Sequence, residues 1–402
     1  MSFFRIYHTK LQKHIEPGNK QERKIIFRCL LENSRIFWNL RRKKADYIWN
    51  YNHIYDIFLH KHDPLVTTDE VDQIFQELNP KLKNLISRIN KPSYEFIEKF
   101  DKSFDQKKIL QACNQLIGEI GYDFQRWRLD SSVHPFTWII SPNDVRVTTK
   151  VYWKNLIYSA LLAIHEMGHA ICEFNKDKEW FGLPSWEINS YAIHESQSMF
   201  FERFLAKQEE FQEAFFPILK DYFPEELKEV SYKDLMEYIN FVQPSLIRLD
   251  ADQLTYHMHI IIRYEIEKSL LEWNLNVNDL PEVWNQKYKD YLGIEPNNLK
   301  EWVLQDVHWW IWRFGYFPSY SLGTMYWYCI YENMEKNIGI IPSKIKNRNM
   351  QDIINWLAEN IHKKWSTQKS IDLINSLGNE KFSVSWYIDF MERRFQKSNL
   401  IN

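Results

Sequence analysis

His165-Glu166-Met167-Gly168-His169 lies in an apolar run from Leu156 to Cys172. Residues four apart on a helix share a face. Both imidazoles can therefore hold one metal ion, with Glu166 beside it to move protons. The five letters alone are moderately specific, because a helix carrying two surface histidines and a glutamate spells them too. What strengthens the reading is His194-Glu195-Ser196-Gln197 on the next stretch of chain. A catalytic zinc of this kind has three protein ligands and an open position for water. His165 and His169 supply two, Glu195 is the expected third, and His194 competes with it. Such an ion lowers the pKa of its water to about 7. Glu166 can take that proton and later pass it to a leaving amine. Metal-bound histidines usually donate their other N–H to a carboxylate. Glu173 and Glu187 are the candidates for that role.

Peptide hydrolysis also needs donors for the oxyanion. The segment from Gln305 to Tyr320 offers His308, Tyr316 and Tyr320, which could equally be hydrogen-bonded core groups. An enzyme that recognises a free C-terminus needs a fixed cation, and the fork of arginine suits a carboxylate. Arg248 and Arg146 are candidates, each with an Asp nearby that could claim it as a structural ion pair.

The elements that must carry these residues read as mainly helical. Only 10 of 402 residues are Gly, which leaves few tight turns. Thr67 with Glu70 spells a capping box, and an amphipathic helix follows to Ile89, divided or kinked at Pro80. A second covers 105–120. Alternation at Val145, Val147 and Thr149 after Pro142-Asn143-Asp144 predicts a small β-hairpin turning at Ser141–Asp144. The metal helix should run from Trp153 to Cys172, and the Glu195 helix from Ser190 to Lys207. Further helices are expected at 209–221, 232–243, 251–273, 281–292, 298–312, 320–336, 349–362, 367–376 and 383–397. Gly315–Pro318 should form a loop. No linker is evident, so a helical N-terminal cap over 1–65 and a catalytic domain over 66–402 are expected.

The formal net charge is −2, which carries no nucleic-acid footprint; the basic run at Arg41–Lys44 reads as a solvated helix face. No apolar run reaches the roughly 18 residues of a membrane span. No signal peptide is visible, since Lys10, Lys13, His14 and Glu16 interrupt the N-terminus. Cys29, Cys113, Cys172 and Cys329 show no CxxC spacing and read as reduced thiols of a cytoplasmic protein.

Six motifs in order now stand out: HPF at 134–136, DVRVT at 144–148, HEMGH at 165–169, HESQS at 194–198, IRLDAD at 247–252 and QDVHW at 305–309. Together they resemble the thermostable (Taq-type) metallocarboxypeptidase family, from about residue 40 to the C-terminus. The resemblance implies a neurolysin-like helical zinc peptidase with a deep groove. It also implies a cytosolic homodimer that removes single residues from peptide C-termini, except where proline stands at the cut. Zinc is the implied metal, with cobalt often accepted. His165, His169 and Glu195 resemble the ligands and Glu166 the general base; HPF adds His134 as a substrate-binding candidate. Compared with the family, the chain is N-terminally shortened, carries Trp302 and Trp312 where the pattern has Gly, and Asp250 where it has Glu. An opened groove would suit an oligopeptidase, and lost turnover would leave a peptide-binding homologue.

Overall fold

The computed structural model describes residues 51–90, 98–132, 135–187, 189–296, 305–310, 313–378, 381–397 and 400–401. Most of the expected cap, His134, Trp302 and Trp312 lie outside them. In chain order the helices are α1 (Asp56–His60), α2 (Thr68–Ser87) and α3 (Gln106–Ile120), followed by strands β1 (Trp127–Ser131), β2 (Phe136–Ser141) and β3 (Asp144–Thr149). Then come α4 (Leu156–Phe174), α5 (Tyr191–Met199), α6 (Glu209–Tyr222), α7 (Tyr232–Ile239), α8 (Thr255–Leu271) and α9 (Leu280–Leu292). The series closes with α10 (Val307–Trp310), α11 (Phe317–Ile338), α12 (Ile341–Lys346), α13 (Met350–Leu357), α14 (Ser370–Ser376) and α15 (Val384–Lys397). The fold is mainly helical with one small sheet.

The capping box of α2 forms as spelled: Glu70 N–H donates to the Thr67 hydroxyl, and Glu70 accepts from Thr67 N–H at 2.9 Å. Pro80 does not divide the helix. The buried stripe Val71, Phe75, Leu78, Leu82 and Leu85 carries α2 past it, so packing outweighs one lost backbone bond. Pro318 falls inside α11 rather than in a loop, in the first turn, where a missing N–H leaves nothing unpaired. The α5 helix continues as a π-helical turn over Phe200–Leu205. Within the region 298–312, the described helix is only Val307–Trp310.

β2 and β3 form the expected antiparallel hairpin, closed at Ser141–Asp144. A strand not foreseen, β1, pairs parallel to β3, giving the order β1-β3-β2. Val145, Val147 and Thr149 of central β3 are buried against α4. Strand alternation sends Arg146 to the opposite, solvent face.

The α4 helix is hydrophobic nearly all round, and 15 of its 19 residues are buried. That is the signature of a helix running through a core rather than along a surface. Asn155 caps it by accepting from Tyr158 N–H at 3.0 Å. Residues 51–65, the described end of the expected cap, pack into the same core through Tyr55, Phe58 and Leu59. Cys113, Cys172 and Cys329 are buried free thiols.

Candidate active site

Glu195 meets the two histidines because two glycines let three helices approach. A Cβ on Gly168 of α4 would stand 2.8 Å from the Gln197 carbonyl and the Ser198 Cα. A Cβ on Gly323 of α11 would stand 2.7 Å from the Ala192 carbonyl and 3.1 Å from the Glu195 Cβ. The α5 helix is therefore gripped on both sides at backbone contact. Its N-terminus is fixed by Asp63, which is buried and accepts from Ser190 Oγ, Ser319 Oγ and Ala192 N–H. One carboxylate thus ties the start of α5 to the start of α11. Burial, outweighing those hydrogen bonds, pushes Asp63 up to about 6.

The donors of His165, His169 and Glu195 lie within 4.8 Å of one another. His165 Nε2 is 3.9 Å from Glu195 Oε1, and His169 Nε2 is 3.7 Å from Glu195 Oε2. Two imidazole nitrogens and one carboxylate form the donor set of a catalytic tetrahedral metal site, in which the fourth position falls to water. In the neutral ring His165 Nδ1 donates to Glu202 Oε2 at 2.8 Å, which leaves Nε2 with the lone pair a metal would take. Burial would lower His165, but Glu202, Glu195 and Glu166 override it and raise the imidazole to about 9. Burial, helped by His194 and His165, holds His169 well below its ordinary value. Two buried carboxylates, Glu166 and Glu195, and the part-buried Glu202 facing two imidazoles call for positive charge, so the residues present fit a divalent cation.

His194 is not placed as a ligand. Its ring stacks on His169 with centroids 4.1 Å apart, and its Nε2 stands 3.0 Å from Glu173 Oε1. Glu173 also meets Lys176 at 2.6 Å. Burial would raise Glu173, but His194 and Lys176 hold it low. Glu173 therefore orients the ring stacked on the metal ligand and does not touch the ligand itself. Glu187 is exposed and plays no such part. The outer carboxylate is Glu202, two turns beyond Glu195, a position the helical phase would have shown.

Glu166 is buried beside the triad, and Thr137 Oγ1 of β2 donates to its Oε2 at 2.7 Å. Burial raises Glu166 despite the pull of His165. The inward side of the hairpin thus holds the expected base, a contact not apparent from the linear sequence.

His308, Tyr316 and Tyr320 come together on a second wall. His308 Nε2 lies 3.0 Å from the Tyr320 hydroxyl, and the His308 and Tyr316 rings are 5.2 Å apart. Burial, with Arg248 nearby, lowers His308 to about 3, so the ring is neutral. Arg248 is buried behind this wall: Nε donates to Asp306 Oδ1 at 2.7 Å, one terminal nitrogen donates to Tyr256, and its guanidinium lies 5.1 Å from the Tyr320 ring centre. Asp306 is shared with Arg263 at 2.5 Å. Arg146 is not brought to the metal pair. It lies half-exposed on the outer sheet face in an ion pair with Asp144 at 3.0 Å. Asp250 is exposed at the end of the short turn that carries Arg248.

Glu267 anchors the loop between these groups. It is fully buried and accepts from Tyr55 OH at 2.6 Å, Trp309 Nε1 at 2.6 Å and Gly315 N–H at 3.0 Å. Burial, outweighing these donors, raises it to about 7.

A sequence profile of the carboxypeptidase Taq (M32) metallopeptidases matches residues 22–395. The chain belongs to this family. It is 38% identical over 358 residues to carboxypeptidase 1 of Bacillus subtilis strain 168, covering 88% of this chain and 71% of that protein. It is 34% identical to thermostable carboxypeptidase 1 of Thermus thermophilus, covering 86% of this chain and 68% of the relative. Among solved structures, metallocarboxypeptidase 1 of Trypanosoma cruzi superposes with a TM-score of 0.81 at 31% identity, over 93% of this chain and 79% of that one. The chain is thus a metallocarboxypeptidase, and its His165–His169–Glu195 triad is consistent with the metal site of that family. None of its described helices is long and apolar enough to cross a membrane.

Proposed function

We propose that the enzyme releases single residues from the free C-terminus of peptides, with zinc held by His165, His169 and Glu195. The observation that carries this reading is the convergence of those three donors beside a buried Glu166 held by Thr137. When bound, the ion polarises the scissile carbonyl and makes water a nucleophile near neutral pH. Glu166 does the proton work. Thr137 occupies Oε2, so Oε1 is the oxygen that takes a proton from water and passes it to the departing amine.

Neutral His308 can donate Nε2–H to the Tyr320 oxygen, which leaves the phenol proton free for the oxyanion. Tyr316 stands beside it, its ring 5.0 Å from that of Tyr320. Glu202 orients His165, and the His194–Glu173 pair packs His169 from the far side. Arg248 supports the tyrosine wall and adds positive field to it. Cobalt is the expected substitute metal, and a homodimer the expected assembly, checked by light scattering.

Elemental analysis and peptide mass spectrometry test the reading together. Wild type should carry about one metal ion per chain and remove single C-terminal residues from a mixed library. Glu166→Gln should keep the metal and lose hydrolysis by about 100-fold or more. Internal fragments released from C-terminally amidated peptides would defeat the carboxypeptidase reading.

A further inference from the structure

We propose that Arg313 is the cation that receives the terminal carboxylate of the substrate. The proposal rests on the carboxypeptidase reading above and adds the residue that would give it C-terminal selectivity. Neither arginine singled out from the sequence is a free receptor: Arg248 is committed to Asp306, and Arg146 lies on the far face of the sheet.

Arg313 differs from both. It is exposed, and no carboxylate lies within ion-pair distance of it among the described residues. Its guanidinium sits 5.7 Å from the Tyr316 ring centre and 6.0 Å from that of Tyr191. Those rings are themselves 5.0 Å apart. Tyr191 is four residues before Glu195 on α5, hence on the same helical face. Arg313 therefore stands beside Tyr191, one helical turn before the ligand Glu195, and beside Tyr316, the neighbour of His308 and Tyr320.

The backbone around it is held on both sides. Arg313 N–H donates to the His308 carbonyl at 2.8 Å. The next carbonyl, that of Phe314, pairs with His62 Nε2 at 3.1 Å. Gly315 N–H is bonded to Glu267 at 3.0 Å. A cation on a loop held by these bonds, with no side-chain acceptor among the described residues, is pre-organised for a ligand anion. In a C-terminal substrate one residue separates the scissile carbonyl from the carboxylate, a span of about 3.3–3.6 Å along an extended chain. A receptor for that carboxylate must therefore border the metal site itself. The planar fork of arginine can bind both carboxylate oxygens at once.

The test compares one N-blocked dipeptide as free acid and as C-terminal amide, with metal-loaded wild type, Arg313→Ala and Arg313→Lys. Wild type should prefer the acid. Arg313→Ala should lose about 10-fold or more in kcat/KM on the acid, mainly through KM, with metal content unchanged and the acid preference collapsed. Arg313→Lys, which keeps the charge and loses the fork, should fall between them. An unchanged acid-to-amide ratio in Arg313→Ala would overturn the assignment while leaving the carboxypeptidase reading intact. Equal cleavage of acid and amide by wild type would sink that reading and the assignment with it.

Discussion

Replacing Gly168 with alanine separates helix propensity from site assembly. Inside a helix, Gly is about 1 kcal/mol less favourable than Ala, so propensity alone predicts stabilisation. The packing predicts the reverse. The new Cβ would lie 2.8 Å from two backbone atoms of α5, and ordinary contact begins near 3.4 Å, so α4 and α5 must part by 3.4 − 2.8 = 0.6 Å. Backbone cannot rotate away, and Gly323 of α11 closes the other side of α5. Overpacking of this kind costs about 1–3 kcal/mol. Set against the propensity gain, the metal-free protein should lose roughly 0–2 kcal/mol. The effect on metal should be larger. Ligand constellations tolerate about 0.5 Å of displacement, so a shift of this size at Glu195 should weaken binding about 10-fold or more, roughly 1.4 kcal/mol or above. Thermal melts with and without metal, plus a competitive chelator titration, measure the two effects separately. A Gly168→Ala protein as stable as wild type, with metal affinity within twofold, would refute the argument that this glycine sets the distance between ligands.

Two further outcomes follow from groups around the site. Glu202→Gln should weaken metal binding by about 10–100-fold, because the N–H of His165 loses a charged acceptor; chelator competition reads this, and an unchanged affinity would remove Glu202 from the site. Glu267 should make metal-free stability depend on pH. Its folded pKa is raised from 4.5 to about 7, so the protonated acid favours the folded state. That contribution is fully present below about pH 4.5 and is lost as pH rises toward 7, a difference of about 3 kcal/mol. Denaturant titrations at several pH values should show wild type losing that much relative to Glu267→Gln across the window, and parallel curves would show that Glu267 does not titrate there.

The local part of this protein was legible from its residues. The capping box at Thr67, the period of α2 and α3, the hairpin turn and the apolar run of α4 are short-range signals, and each formed. The metal triad was legible for the same reason: His165 and His169 share a helical face by spacing alone, and Glu195 lies one loop and one turn away. Glu202 was within reach too, because it follows Glu195 by two turns.

What only the tertiary structure decided depends on contacts distant in sequence. His194 and Glu195 are neighbours, and both can bind metal; the choice falls to the 3.0 Å approach of Glu173, which turns His194 aside. Arg248 and Arg146 each stood near an Asp. The pair that forms for Arg248 is with Asp306, 58 residues on, and strand alternation carries Arg146 away from the metal. Thr137 on Glu166, Asp63 across α5 and α11, and Glu267 under the Arg313 loop join segments 29 to 256 residues apart. Periodicity specifies which face of an element is buried. It does not specify which buried polar group meets which, because that depends on how closely helices approach, and here two glycines set that distance.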